Sequence, residues 1–174
     1  MVPGLPRQRP RLRTAEVEPV PSRAQTRGVC ISQADAGRVY DIAPLFDAYR
    51  SFFAGRSTLV ESTRFLAERL VAGECVVFVA DVDGTAAGFI QLYPLWSSWY
   101  CGRIWFLSDL YVAESARRLG IGAKLVEAVK RHAAATSASS VMVELPRREP
   151  HLKAFYARLG FSEDDVFELA RYRP

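Results

Sequence analysis

The sequence predicts one mixed α/β (α+β) domain: a central sheet of about six to seven strands flanked by about four helices. Three observations carry this expectation. Short apolar runs of strand length alternate with longer runs whose apolar residues recur every three or four positions. Asp83-Gly84 joins two of the short runs as a tight antiparallel hairpin. Only the run ending at Val112, the amphipathic stretch after it and the run from Val141 have the lengths of a parallel strand–helix–strand crossover.

Taken in order, Val29 to Gln33 is a short strand. From Val39, residues Ile42, Phe46, Tyr49 and Phe53 fall on one face of a helix. Thr58-x-x-Glu61 is a capping box opening a second helix, with Phe65, Leu66 and Leu70 as its apolar stripe and Gly73 as its end. Cys75 to Val82 and Thr85 to Tyr93 are the arms of the hairpin, followed by an aromatic connection containing Trp96, Trp99 and Tyr100. Arg103 to Val112 is the fourth strand, and a glycine turn leads into a helix over Lys124 to His132. The strand Val141 to Leu145, a helix around Tyr156 and a last strand near Val166 to Arg171 complete the order.

The 174 residues fit one domain and can bury a substantial core. No apolar run approaches the roughly 20 residues needed to cross a bilayer. Net charge is +4, but residues 1–28 hold six Arg against two Glu, which leaves 17 basic and 17 acidic residues in the remainder. The same stretch contains five of the ten prolines and almost no large apolar residue. It is expected to be a disordered Arg/Pro-rich tail, either a solvated extension or the product of a start codon read too early, with the folded domain spanning 29–174. The tail lacks the apolar core of a secretory signal. Cys30, Cys75 and Cys101 are odd in number and widely spaced, and read as small core residues in a reducing cytoplasm. With only His132 and His151 present, no metal site is expected.

Arg117-Arg118-Leu119-Gly120-Ile121-Gly122-Ala123 follows the apolar strand and opens the long helix. Unpaired N–H groups at a helix start, where the dipole is positive, form a site for a pyrophosphate. The Walker loop is excluded by spacing, because the preceding glycine, the Gly-Lys pair and the following Ser or Thr are all missing. The dinucleotide fingerprint is excluded because Leu125 stands where its third small residue belongs. Arg-x-x-Gly-x-Gly after a Leu-x-Val strand end resembles the acetyl-CoA loop of the GNAT superfamily of N-acetyltransferases. Downstream, Leu152-Lys153-Ala154-Phe155-Tyr156-Ala157-Arg158-Leu159-Gly160-Phe161 resembles the second conserved helix of that superfamily. Leu45 to Arg50 and Gln91 to Pro94 resemble a bacterial branch loosely grouped with yeast histone and polyamine acetyltransferases.

The resemblance covers about residues 29 to 172 and implies a GNAT-type fold, acetyl-CoA as co-substrate, and transfer of its acetyl group to a primary amine by direct attack. By the same resemblance Leu110, Tyr111 and Val112 run beside the pantetheine arm, with a backbone N–H there polarising the thioester. The backbone from Arg117 to Ala123 cradles the pyrophosphate, Gly120 and Gly122 leaving room for close approach and Arg117 and Arg118 offering charge. Tyr156 is the candidate general acid, since a phenol of pKa about 10 keeps its proton at neutral pH. An alkyl ammonium must lose a proton before attack, and Asp109 and then Glu144 are the candidate bases, although Asp109 is also suited to a strand bulge. Two departures from the family pattern stand out: Phe106 where some histone-acetylating relatives carry Glu, and Glu149 where many members have Asn. Glu149 either attracts a cationic substrate or, the favoured reading, supplies the negative charge that suits a helix start.

For the acceptor, the resemblance implies a site walled by the first two helices, with Tyr49, Phe53 and Arg56 as lining. Gln91, Tyr93, Trp96, Trp99 and Tyr100 are further candidates, through cation–π contact or as a hairpin core or dimer surface. The expected partner is a small-molecule amine or a peptide amino group, with no membrane, and a homodimer is open. The rival readings are a non-catalytic acyl-CoA-binding sensor and, more weakly, a nucleic-acid module using the Arg tail; the neutral body argues against the second.

Overall fold

The run Val76-Val77-Phe78-Val79-Ala80 is apolar at every position, as expected of a strand buried on both faces. In the computed structural model, which describes residues 28–147, 149–164, 166 and 170–172, that strand is the second of five in one sheet. The strands are β1 (Val29–Gln33), β2 (Val76–Val82), β3 (Thr85–Ser97), β4 (Gly102–Val112) and β5 (Ser140–Val143). They lie side by side in chain order, antiparallel except for the parallel pair β4 and β5. The helices are α1 (Val39–Ala54), α2 (Leu59–Val71), α3 (Ile121–Ala135) and α4 (Pro150–Arg158).

Helices cover both faces. Ile42 and Phe46 of α1 and Leu66 of α2 pack on Val77, Val79 and Phe89. On the other face Leu125, Val126 and Val129 of α3, with Tyr156 of α4, pack on Phe78, Ile90 and Leu92. Gly88 lets α3 approach β3 closely: a Cβ there would lie 3.0 Å from the Tyr111 carbonyl and 3.2 Å from Ile121 Cγ2.

Two features of β4 position the site. The pairing with β3 slips between Gln91 and Leu92, so that Gln91 faces Asp109 and Leu92 faces Leu107, with Ser108 as the extra residue of a bulge. The slip reverses which side chains face which helices. Trp105 and Leu107 point to the α3 face, but beyond Ser108 the odd-numbered Tyr111 joins the α1 cluster while Leu110 and Val112 turn to α3. The second feature is the short pairing with β5, from Ile104–Ser140 to Leu107–Val143. Beyond Leu107, β4 runs on for five residues without a partner strand on that side among the described residues.

Several expectations need correction. Five strands are present among the described residues, where six to seven are expected for the whole chain. The centre of the predicted last strand, 167–169, lies outside the described residues; Val166 is a bend, and Ala170 and Arg171 are in no strand. The tail expected over 1–28 lies outside the described residues up to residue 27. β3 does not stop at Tyr93 but continues through Trp96 to Ser97, because these residues pair with Gly102 to Phe106 in a long hairpin. Phe161 begins no strand. Instead its N–H bonds to the Tyr156 carbonyl (3.1 Å) and the Gly160 N–H to that of Ala157 (3.0 Å), a Schellman closure of α4. Of the cysteines only Cys75 is buried; Cys30, on edge strand β1, and Cys101, in the β3–β4 turn at φ 48°, are exposed.

Candidate active site

The glycine turn is built from two left-handed residues, Arg118 (φ 65°) and Gly120 (φ 72°), the second directly before α3. A Cβ at Gly120 would touch nothing, so backbone conformation and not space makes glycine fit there. At Gly122 a Cβ would meet Phe155 Cζ of α4 at 3.4 Å, an ordinary contact. Within the protein itself, then, one glycine answers to φ and the other lies against α4. Ile121 is buried and pins the turn to the core, while Leu119 and Ala123 are more open; the first N–H groups of such a helix have no intrahelical partner. Arg117 Nε donates to the Val112 carbonyl (3.3 Å) and its Nη1 lies 3.4 Å from Glu114. Arg118 makes no ion pair among the described residues. The two arginines are thus unlike: one braces the turn, the other is available to an anion.

The unpaired edge of β4, with Leu110 and Tyr111, runs from this turn toward Ser108. The Val112 carbonyl is already taken by Arg117, so the free backbone groups lie nearer the bulge. An extended chain bearing amides fits such an edge, because each amide replaces a missing strand partner. An anion-binding turn at one end and a strand edge unpaired among the described residues leading from it suit the diphosphate and the pantetheine of a CoA thioester.

Tyr49 and Asp109 sit together where β4 and β5 part, and Tyr156 lies near enough to Tyr49 for its charge to be felt there. Tyr49 reaches in from α1, its hydroxyl 3.5 Å from the Ser108 carbonyl. Burial pushes its phenol up, and the Asp109 carboxylate and the Tyr156 hydroxyl add to the rise. Burial raises the Asp109 carboxyl above the ordinary carboxylate range, against the hydrogen bonds of Ser108 and Tyr49. Burial alone raises the Tyr156 phenol. Tyr156 belongs to the α3–α4 side of the sheet and Tyr49 to the α1 side. Phe155 and Phe161 flank the Tyr156 ring, with centroids at 5.1 and 5.2 Å. The Phe161 contact joins the residues that a Schellman closure brings together, so the Leu-Gly-Phe ending of the helix holds the tyrosine ring.

Next to Asp109, a cavity of about 460 Å³ opens between α1, α2 and the sheet. Tyr49 and Tyr93, two of the sequence candidates for the acceptor, line it with Phe46, Arg50, Glu61, Arg64, Phe65 and Ser108, which were not among the candidates. Phe65 had registered only as part of a core stripe, and no local pattern marked the charged residues. Gln91 is fully buried behind the wall, where its Nε2 donates to the Tyr93 hydroxyl (2.9 Å). Phe53 is half exposed and packs on Tyr49 at 4.9 Å, outside the lining. Trp96, Trp99 and Tyr100 are exposed on the far hairpin, away from the lining, with Arg103 stacked on Trp96. Glu144 lies just past β5, exposed and 3.3 Å from Arg171, and does not line the cavity. Glu149 caps the start of α4 without a side-chain bond to its backbone.

The acetyltransferase (GNAT) family matches residues 42–161. An uncharacterized N-acetyltransferase of Bacillus subtilis, YhfO, is 36% identical over 79% of this chain and 92% of its own length. The solved structure of a probable acetyltransferase, 35% identical, superposes with a TM-score of 0.79 over 83% of this chain and 97% of its own. An aminoglycoside N-acetyltransferase solved with CoA shares the fold at 21% identity, with a TM-score of 0.70 over 89% of this chain and 99% of its own. No helix among the described residues is long and apolar enough to cross a membrane. The chain belongs to the GNAT family, whose members use acetyl-CoA, and it is an acetyltransferase.

Proposed function

We propose that this protein transfers the acetyl group of acetyl-CoA to a primary amine held in the cavity beside Asp109. The observation that carries this reading is the parting of β4 from β5 after Leu107, which among the described residues leaves a strand edge free between the glycine turn and Asp109, where Tyr49 reaches in from α1. In this reading the Gly120 turn holds the diphosphate, the edge of Leu110 and Tyr111 holds the pantetheine, and a backbone N–H near the bulge polarises the thioester carbonyl. Such a donor typically contributes about 3 kcal/mol.

Asp109 takes the proton of the incoming ammonium. Its raised pKa favours this, because a base titrating nearer neutrality is a better proton acceptor than an ordinary carboxylate. The amine nitrogen attacks the carbonyl carbon, the carbon–sulfur bond breaks, and Tyr156 gives its proton to the departing sulfur. The products are an N-acetyl amine and the CoA thiol. The acetylated nitrogen sheds its second proton to solvent, the Tyr156 phenolate takes one back from solvent, and Asp109 releases the first, so each turnover frees one proton in all. Dependence on acetyl-CoA is consistent with a cytoplasmic location.

The test is release of CoA thiol from acetyl-CoA across a library of amines, with the acetylated product identified by mass. Amine-dependent release supports the reading. Bound acetyl-CoA with no release by any amine would instead mark a sensor domain.

A further inference from the structure

The charges around the acceptor cavity divide into a paired set and a remainder. Arg50 is held in place: its Nη1 donates to Ser62 Oγ at 2.9 Å and its Nη2 lies 3.8 Å from Glu61. Ser62 in turn donates to Asp47 (2.7 Å), which also accepts from Ser57 (2.5 Å). Arg50, Glu61 and Asp47 are thus occupied in tying α1 to α2. The remainder is Asp109 on the sheet floor and Arg64 on the α2 wall, and Arg64 makes no hydrogen bond or ion pair among the described residues. The rest of the wall is mainly aromatic: Phe46, Tyr49, Phe65 and Tyr93.

One unspent cation and one acid in an aromatic-walled cavity of about 460 Å³ match a compact molecule that carries both charges on an apolar body. We propose that the acceptor is a zwitterionic amine, an amino acid with an apolar or aromatic side chain, its amine directed to Asp109 and its carboxylate paired with Arg64. The planar guanidinium suits a carboxylate through two parallel hydrogen bonds. The aromatic wall takes the side chain. A polycation fits poorly, because its second ammonium would find Glu61 already engaged with Arg50 and would face Arg64. This inference rests on the acetyl-transfer reading above, and names the class of amine.

The test compares amino acids with their decarboxylated amines in the thiol-release assay: phenylalanine with phenethylamine, tyrosine with tyramine, leucine with isoamylamine, each amino acid as both enantiomers. Spermidine and tobramycin serve as polycations. The wild-type kcat/KM should favour at least one amino acid over its amine by tenfold or more, and exceed that for either polycation. Arg64→Met should lower that preference by about ten- to hundredfold, the effect of losing a charged hydrogen-bonded pair. Arg64→Glu should move the preference toward spermidine. Acetyl-CoA affinity by calorimetry reports whether each variant is folded. If the amines or polycations are better substrates for the wild type, or Arg64→Met leaves the ratio unmoved in a protein that still binds acetyl-CoA, the zwitterion proposal is overturned and acetyl transfer stands. If bound acetyl-CoA is cleaved with none of these compounds nor with any other amine, the acetyl-transfer reading falls and this proposal with it.

Discussion

The half of the molecule formed by β4, α3, β5 and α4 differs from the half formed by α1, α2 and β3 in how its chemistry is assembled. In the first, the turn at Gly120 and the helix carrying Tyr156 are local devices: a left-handed residue starts one helix, and a Schellman closure ends the other. Each needs only a few adjacent residues. In the second, the cavity draws Phe46 and Arg50 from one helix, Arg64 and Phe65 from another and Tyr93 and Asp109 from two strands, and no short stretch contains it. On the proposed reading, local construction suits a part that holds the same co-substrate throughout a family, whereas dispersed construction lets the acceptor wall change one residue at a time.

The largest effect that separates the halves is expected at Gly120. Asp tolerates the left-handed conformation better than most residues, and a Cβ there has open space, so Gly120→Asp should fold normally. A carboxylate about 4 Å from a diphosphate charge costs on the order of 4 kcal/mol at an effective dielectric near 20. Calorimetry should therefore show acetyl-CoA binding weakened about a thousandfold with an unchanged melting temperature. Wild-type affinity in that variant would remove the turn from the account.

Next comes Asp109, where the two halves meet. Asp109→Asn should reduce kcat/KM by about a hundredfold, the lower end of general acid–base catalysis, and abolish an acid limb lying above the ordinary carboxylate range. Stability should move the other way. The folded carboxyl titrates above its unfolded value of about 3.9. This group therefore contributes most to stability below that pH, and loses the contribution as pH rises through the folded pKa. Asn escapes the loss, so the variant should melt higher than wild type near pH 7, with the gain shrinking toward pH 4. A variant less stable than wild type at neutral pH would contradict the burial argument.

Smaller effects are expected in the supports. Phe161→Ala removes the ring packed 5.2 Å from Tyr156 while leaving the phenol itself, so kcat should fall about tenfold with acetyl-CoA affinity retained. Phe161→Leu should recover most of the rate. Asp47→Ala strips Ser57 and Ser62 of their acceptor, at a cost of about 1–3 kcal/mol in chemical denaturation, and should raise KM for the amine more than for acetyl-CoA. Equal changes in both KM values would mean that the α1–α2 tie supports the whole fold and not the acceptor wall alone.

This contrast also explains what could be read from the chain. Helix starts and ends were legible at Thr58, Gly73 and Gly160, because capping depends on residues a few positions apart. The bulge at Ser108 left a trace, the change of apolar phase from Trp105 and Leu107 to Leu110 and Val112, which fits Asp109 being turned toward the acceptor. The early parting of β4 from β5 left none, since the number of paired residues is set by the tertiary packing of α3 and α4. Arg64 carried no local pattern either: an arginine on an amphipathic helix reads as surface until its lack of a partner beside a cavity is seen. Cys30 and Cys101 were misread because apolar neighbours do not distinguish an edge strand or a turn from a core strand.

The most direct test of the central claim is Tyr156→Phe, which keeps the buried ring and removes only the hydroxyl. Single-turnover thiol release, measured with the best amine and saturating acetyl-CoA, isolates the chemical step. With Tyr156 as the acid, the rate should fall by about 10²–10⁴ while calorimetric acetyl-CoA affinity stays within a few-fold of wild type. A single-turnover rate equal to wild type would contradict the account, leaving Tyr156 as a packing residue and the departing sulfur to take its proton from elsewhere.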